Sequence, residues 1–137
     1  MPLTLTLTEG LLEKGAERIA FARLSEAMLK AHALEGSAAM RRNVVGSVHV
    51  LPKGTTFSGL QERAVAFVEW KTPSLAFSDP AAQAEYFRAA SDILIDMTGG
   101  RLAREDISVN VVHAVDGAWN FDGARMTNAE IGARLAG

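Results

Sequence analysis

The residue with the clearest chemical potential stands at the start of the chain, where Pro2 directly follows Met1. Removal of Met1 would leave Pro2 with a free secondary amine, and the pKa of an ordinary α-amino group, about 7.7 to 8.0, already lies near neutrality. Burial or a nearby cation would favour the neutral form, which could act as a general base. Proline makes up about 5% of residues in proteins, so its position alone is weak support. The rest of the chain has to position it.

The composition predicts one globular domain that needs no disulfide, metal or cofactor. The chain has 137 residues, 48% of them hydrophobic and 22% charged, and it contains no cysteine. Its three histidines lack the spacing of metal ligands, and no glycine-rich phosphate-binding motif occurs. A net charge of −2 argues against a nucleic-acid partner. Since no long apolar run or signal peptide is found, we expect no membrane partner and a cytoplasmic location.

The first half of the chain predicts a β-α-β unit. Residues 2–8 alternate leucine with threonine, which is typical of a strand with one buried face. Residues 16–34 carry small and apolar side chains at helical spacing, and Ser37 is expected to lie in the stop that follows. Residues 44–51 form a β-branched run that predicts the second strand. The polar, glycine-bearing residues 53–61 are expected to form a loop between the halves.

The second half predicts the same order of elements. Residues 64–70 form an apolar stretch interrupted only by Glu69, which favours a central strand over an edge strand. Asp79 followed by Pro80 is a strong start signal for a helix, which then continues to Met97. Residues 107–112 form the fourth strand.

The spacing of these elements suggests a duplication. The first strands begin near residues 2 and 64, the helices near 16 and 80, and the second strands near 44 and 107. We therefore expect a single α+β domain over 1–137, with pseudo-repeats at 2–52 and 63–114, and with a hairpin at 116–123 and a brief helix at 129–135 in the tail 115–137. Each β-α-β unit should contain parallel strands, which gives a four-stranded mixed sheet with two helices on one face. A ferredoxin-like sandwich has the same element order and is the structural alternative.

Pro2, the paired β-α-β units and the stretch from Trp119 to Gly123 together resemble the tautomerase superfamily, and especially malonate semialdehyde decarboxylase and its relatives. The resemblance implies a tautomerase/MIF-like fold and a homotrimer with Pro2 at the mouth of a pocket beside a neighbouring subunit. It also implies a cofactor-independent enzyme that acts on a small anionic 2-oxo acid.

The resemblance carries over to further residues. Lys71 falls where decarboxylase-like members have an arginine that holds the substrate carboxylate, and a second arginine of that pattern would fall near Pro73. The carboxylate that activates water in the decarboxylase and dehalogenase branches would fall within residues 39–42, where no acid occurs. Adding water to a substrate needs a base that takes the water proton, whereas tautomerisation needs only the prolyl nitrogen and a stabilised enolate. Tautomerisation is therefore favoured over decarboxylation, hydration or dehalogenation.

In this hypothesis Pro2 takes a proton from the enol form of a 2-oxo acid and returns it to carbon. Lys71 and either Arg41 or Arg42 would bind the carboxylate and stabilise the enolate oxygen. An apolar wall for the substrate tail would come from Trp119 and Phe121, and His32 lies close to where one dehalogenase branch has a functional histidine.

Each of these residues also has a purely structural interpretation. Lysine and arginine side chains are usually solvated, and aromatic side chains are usually buried in a core or an interface. A histidine near a helix end also suits the helix dipole. Two functional alternatives stay open: a malonate semialdehyde decarboxylase-like or dehalogenase-like lyase or hydratase, and a non-catalytic trimeric binding protein. A ferredoxin-like binding or assembly domain, in which Pro2 is incidental, is a further alternative.

Overall fold

The computed structural model describes residues 1–137 and contains eight strands, four α-helices and one 3-10 turn. In chain order these are β1 Pro2–Thr8, α1 Glu17–Ala31, α2 Ala38–Arg42, β2 Val45–Leu51, β3 Phe57–Ser58, β4 Gln61–Glu62, β5 Ala66–Pro73, α3 Pro80–Met97, the 3-10 turn Arg104–Asp106, β6 Ile107–Ala114, β7 Trp119–Phe121, β8 Ala124–Met126 and α4 Asn128–Ala136. None of the helices combines the length and the apolar character that crossing a bilayer requires.

The main sheet has four strands in the order β2-β1-β5-β6. Within each half the strands are parallel, since β1 pairs with β2 and β5 pairs with β6, while the central pair β1 and β5 is antiparallel. The predicted mixed sheet with a central third strand is therefore confirmed. The ferredoxin-like alternative is excluded, because that fold splits each β-α-β unit whereas β1 and β2 are direct neighbours here.

The two faces of this sheet differ in character. Leu3, Leu5 and Leu7 are fully buried on the face covered by α1 and α3, whereas Thr4 and Thr6, which alternate with them, are only half-buried on the other face. We call the second face, which no helix covers, the open face. Because Pro2 continues the threonine series of this alternation, its ring lies on the open face.

A buried polar pair ties the covered face to both helices. The Trp70 indole N–H of β5 donates to the Tyr86 hydroxyl of α3 at 2.6 Å. That hydroxyl donates in turn to the Leu24 carbonyl of α1 at 3.3 Å. Because all three groups lie out of contact with water, this chain of hydrogen bonds fixes how the helices sit on the sheet.

The start of α3 agrees with the sequence, because the Asp79 carboxylate accepts from the Ala81 amide at 3.0 Å. The expected stop around Ser37 was wrong in part, since Ser37 accepts from the Met40 amide and caps the short helix α2. The expected loop at 53–61 was also incomplete, because it contains β3 and the turn that leads into β4. These elements have two to five residues, which is too short for hydrophobic periodicity to appear.

The tail forms a hairpin over 119–126, which extends beyond the predicted 116–123, and the helix α4 where a helix at 129–135 was predicted. Strands β7 and β8 pair across a two-residue turn at Asp122 and Gly123, whose φ values of 52° and 82° suit an Asp-Gly turn. Thr127 and Glu130 then form a reciprocal capping box at the start of α4. The hairpin lies next to the start of β1, and this contact builds the candidate site.

Candidate functional site

A row of four residues crosses the open face at the start of β1. Pro2 pairs with Val45 of β2, and Lys71 of β5 pairs with Val112 of β6. Because Leu3 pairs with Trp70 in the antiparallel register, Pro2 and Lys71 are the next two residues that lie opposite each other on the adjacent strands. Their side chains point to the same face, at a cross-strand spacing of about 5 Å between Cβ atoms. The row is therefore Val45, Pro2, Lys71 and Val112.

An open cavity of about 380 Å³ lies where this row meets the hairpin. We call it the Pro2 cavity. It is lined by Met1, Pro2, Arg42, Asn43, Val45, Trp119 and Asn120. One arginine and no acid line it, so the cavity is suited to an anionic ligand.

Met1 lies between the Pro2 cavity and a second, more enclosed cavity. The Met1 side chain is 6% exposed and packs within the core. Its amine donates to the Asn43 carbonyl, and burial lowers the pKa of this amine from 8.0 to about 6. In the chain that retains Met1, the nitrogen of Pro2 is an amide and has no basicity.

Arg41 and Arg42 have different environments although they are neighbours in sequence. Arg41 binds both carboxylate oxygens of Glu26 at 2.7 and 3.0 Å, and its Nε donates to the Glu35 carbonyl at 2.8 Å. The hydrogen bond from Arg41 lowers the pKa of Glu26, so the pair is ionised at neutral pH. Arg42 lines the Pro2 cavity with a side chain that is 60% exposed. Only Arg42 is thus placed to meet a ligand there.

Asn43 and Asp122 join α2 to the hairpin, and the sequence analysis missed both. Asp122 also binds Arg134 Nε at 3.2 Å and lies 3.7 Å from Arg42 Nη2. The hydrogen bond from Asn43, followed by those charges, lowers the pKa of Asp122. This carboxylate does not line the cavity, and its oxygens are already engaged. It forms an ion-pair contact with Arg42 and is poorly placed to activate water.

The two aromatic residues of β7 lie on the same face of the strand but line different cavities. Trp119 is half-buried and lines the Pro2 cavity, and its indole nitrogen is buried without a hydrogen-bond partner. Phe121 is 1% exposed and lines the enclosed space behind Met1 instead. The structure therefore places only Trp119 beside Pro2 while Met1 is present.

His32 binds backbone groups through both ring nitrogens. The Phe77 amide donates to Nε2 at 2.9 Å, so Nδ1 carries the proton and donates to the Met28 carbonyl at 2.9 Å. The ring also meets Phe77 edge-on, with centroids 4.5 Å apart. Phe77 has a φ of 55°, a conformation that a non-glycine residue rarely adopts. His32 holds this strained residue, and neither nitrogen is free for a substrate.

A polar cavity of about 350 Å³ lies at the other end of β1, where Glu9 and Glu62 line it together with Lys53, Arg63 and Arg101. All three donor groups of Arg101 bind the backbone carbonyls of Gly10, Leu11 and Thr98. Arg63 binds the Asp106 carboxylate at 2.7 Å. The Pro2 cavity is therefore the better candidate for anion binding.

The fold belongs to a known class, in which two β-α-β units share one mixed sheet. A protein inactivated by 2-oxo-3-pentynoate has 17% identity and a TM-score of 0.73, over 96% of this chain and 99% of its own. A fused 4-OT, solved as a symmetric trimer, has 14% identity and a TM-score of 0.74 over the same shares. A malonate semialdehyde decarboxylase inhibited by 3-bromopropiolate has 14% identity and a TM-score of 0.69, over 99% of this chain and 98% of its own.

These proteins are members of the tautomerase superfamily, and the chain has the tautomerase-superfamily fold. The predicted fold is thus confirmed. No protein-family model and no curated protein matches the sequence. At such low identities the likeness establishes the fold, and the activity has to be argued from the site.

Proposed function

We propose that the chain beginning at Pro2 is a cofactor-independent tautomerase that acts on a small 2-oxo acid. The observation that carries this proposal is the position of Pro2, which starts a central strand, lines an acid-free cavity with Arg42, and neighbours Lys71. A rigid strand holds the prolyl nitrogen in one place. Burial and the two cations favour its neutral form, as a general base requires.

The roles of the other residues follow from their positions. Lys71 and Arg42 bind the substrate carboxylate and stabilise the enolate oxygen that forms when the enol loses its proton. Arg41 is left out of this role because Glu26 and a backbone carbonyl occupy its donors. Trp119 covers one side of the substrate from the hairpin. The proton that Pro2 takes from the enol oxygen is returned to C3, which yields the keto acid.

Decarboxylase-like, dehalogenase-like or hydratase chemistry is the second candidate. The solved structure of a malonate semialdehyde decarboxylase with this fold favours it. The lining of the Pro2 cavity opposes hydration, because no carboxylate is present there to take a proton from water.

The test uses protein whose intact mass shows that Met1 has been removed. Enol forms of aryl- and alkyl-pyruvates should be converted to their keto forms, and Pro2→Ala should lower kcat/KM about 10²- to 10⁴-fold. Full activity of Pro2→Ala would reject Pro2 as the base. Parallel assays with malonate semialdehyde and 3-haloacrylates test the second candidate.

A homotrimer is part of the proposal. The fused 4-OT with this fold is a symmetric trimer. On this chain the open face leaves Val45 52%, Val112 48% and Phe67 40% exposed, and burial of these apolar side chains against other copies would stabilise an assembly. Sedimentation equilibrium should give three times the chain mass. A monomer with full ligand binding would instead favour a site contained within one chain.

A further inference from the structure

Met1 occupies a pocket of its own, on the core side of Pro2. Its side chain borders the Pro2 cavity on one side and an enclosed cavity of about 60 Å³ on the other. Met40, Phe121 and Ile131 are at most 2% exposed and form part of the wall of that enclosed cavity. The Met1 side chain thus lies between the open Pro2 cavity and a smaller, less open cavity with an almost entirely apolar lining.

The enclosed cavity has no polar group in need of a partner. His32 is the only lining residue with a polar side chain, and both of its ring nitrogens are already bound to backbone groups. Water gains few hydrogen bonds in a cavity with such a lining, which therefore favours apolar groups. Loss of Met1 therefore leaves an apolar pocket that runs inward from the new prolyl amine.

We propose that this vacated pocket, which we call the Met1 pocket, binds an unbranched apolar tail on the substrate. The inference rests on the proposed function, since Arg42 and Lys71 hold the carboxylate outside and Pro2 acts between carboxylate and tail. Methionine is an unbranched side chain with about four heavy atoms beyond Cα, so a linear tail of about that length fills the same space. The preferred substrates are linear 2-oxo acids with such a tail, rather than pyruvate itself or dicarboxylates.

Charge at the end of the tail is excluded by the same wall. A second carboxylate would be taken out of water among Phe121, Leu75 and Ile131 without a partner. A tail branched next to the reacting carbon would need more width than the unbranched methionine side chain that it replaces.

The first test measures binding of unreactive, saturated monocarboxylic acids of increasing length to the Met1-free protein by calorimetry. Each added methylene group should tighten binding about fourfold until the pocket is full, after which affinity should level off. Equal affinity for acetate and hexanoate would overturn the inference. Protein that retains Met1 should show no dependence on chain length, because its own side chain fills the pocket.

The second test fills the pocket from its wall. Ala76 lines the enclosed cavity, and Ala76→Val should abolish the gain with chain length while leaving acetate binding unchanged. Ala103→Val is the matched control, because Ala103 has an extended backbone and is only half-buried away from the site. If folded Ala76→Val protein still bound longer acids more tightly, to the same extent as the natural protein, the result would contradict the proposed pocket.

The failure of this inference can be told apart from failure of the proposed function. Turnover of 2-oxo acids that depends on Pro2 but not on tail length would reject the Met1 pocket as a substrate site and support the tautomerase activity. Binding that depends on tail length, without any Pro2-dependent turnover, would support the pocket as a ligand site and reject the tautomerase activity.

Discussion

Asn43 and Asp122 hold each other through two hydrogen bonds, although 79 positions separate them in the chain. Asn43 Nδ2 donates to Asp122 Oδ1 at 2.9 Å, and the Asp122 amide donates to Asn43 Oδ1 at 3.1 Å. The Asn43 carbonyl also accepts a hydrogen bond from the amine of Met1. This pair therefore connects α2, the hairpin and the start of β1, the three parts of the chain that surround Pro2.

We expect Asp122→Ala to weaken substrate binding without impairing the base. The substitution frees Asn43 and Arg42, so KM for a carboxylate substrate should rise up to about fivefold while kcat stays nearly constant. Steady-state kinetics on the Met1-free protein measures both constants. Asp96→Ala is the control, because Asp96 has only an exposed ion pair with Arg23 at 2.7 Å. A fall in kcat as large as that of Pro2→Ala would mean that Asp122 takes part in the chemistry.

Lys71 should act on charged substrates alone. Lys71→Ala is expected to raise KM for a 2-oxo acid about tenfold or more and to spare the corresponding neutral ester, because a charge-assisted hydrogen bond is lost. Its nearest acid, Glu69, is 4.0 Å away and exposed, so the urea midpoint should not move. Lys71→Arg should bind the acid at least as well as the natural residue, since a guanidinium can hold both carboxylate oxygens.

Lys30→Ala is the matched control for this lysine, since Lys30 is exposed at the end of α1. Equal losses for acid and ester in Lys71→Ala would show that the lysine supports the structure instead of the carboxylate.

His32 should matter for stability and not for the pH dependence of catalysis. His32→Ala leaves the Phe77 amide without its acceptor, which is expected to lower the free energy of unfolding by about 1 to 3 kcal/mol. The shape of the pH profile of kcat/KM should stay the same, because neither ring nitrogen faces a substrate. His49→Ala is the comparison, as His49 is exposed and bonds only to Ser47. Loss of one limb of the profile in His32→Ala alone would assign it a catalytic role.

Local patterns were sufficient for most of the fold. The alternation of leucine with threonine in β1 and the Asp79 cap of α3 are signals contained within a few residues. Helix α2 gave no such signal, because five residues make little more than one turn. The duplication inferred from element spacing and the cytoplasmic location stay predictions.

The site was harder to predict because it depends on pairing between distant segments. The sequence points to Pro2 and Lys71, but only the antiparallel register of β1 and β5 makes them neighbours. The choice between Arg41 and Arg42 depends on Glu26, which lies on another helix. Nothing local distinguishes two adjacent arginines, so the sequence could only leave the choice open.

The buried amine of Met1 makes the unprocessed chain sensitive to pH. Its pKa is 8.0 when unfolded and about 6 when folded, so the unfolded chain binds more protons between these values. The free energy of unfolding should therefore increase as the pH is raised from about 6 to about 8, by at most about 2 kcal/mol because the amine is not fully buried. Urea denaturation of the Met1-containing protein at pH 6, 7 and 8 measures this rise. An Nα-acetylated sample, which keeps the histidines but lacks the amine, is the control. An equal increase of the free energy of unfolding with pH in both samples would contradict the assignment to this amine.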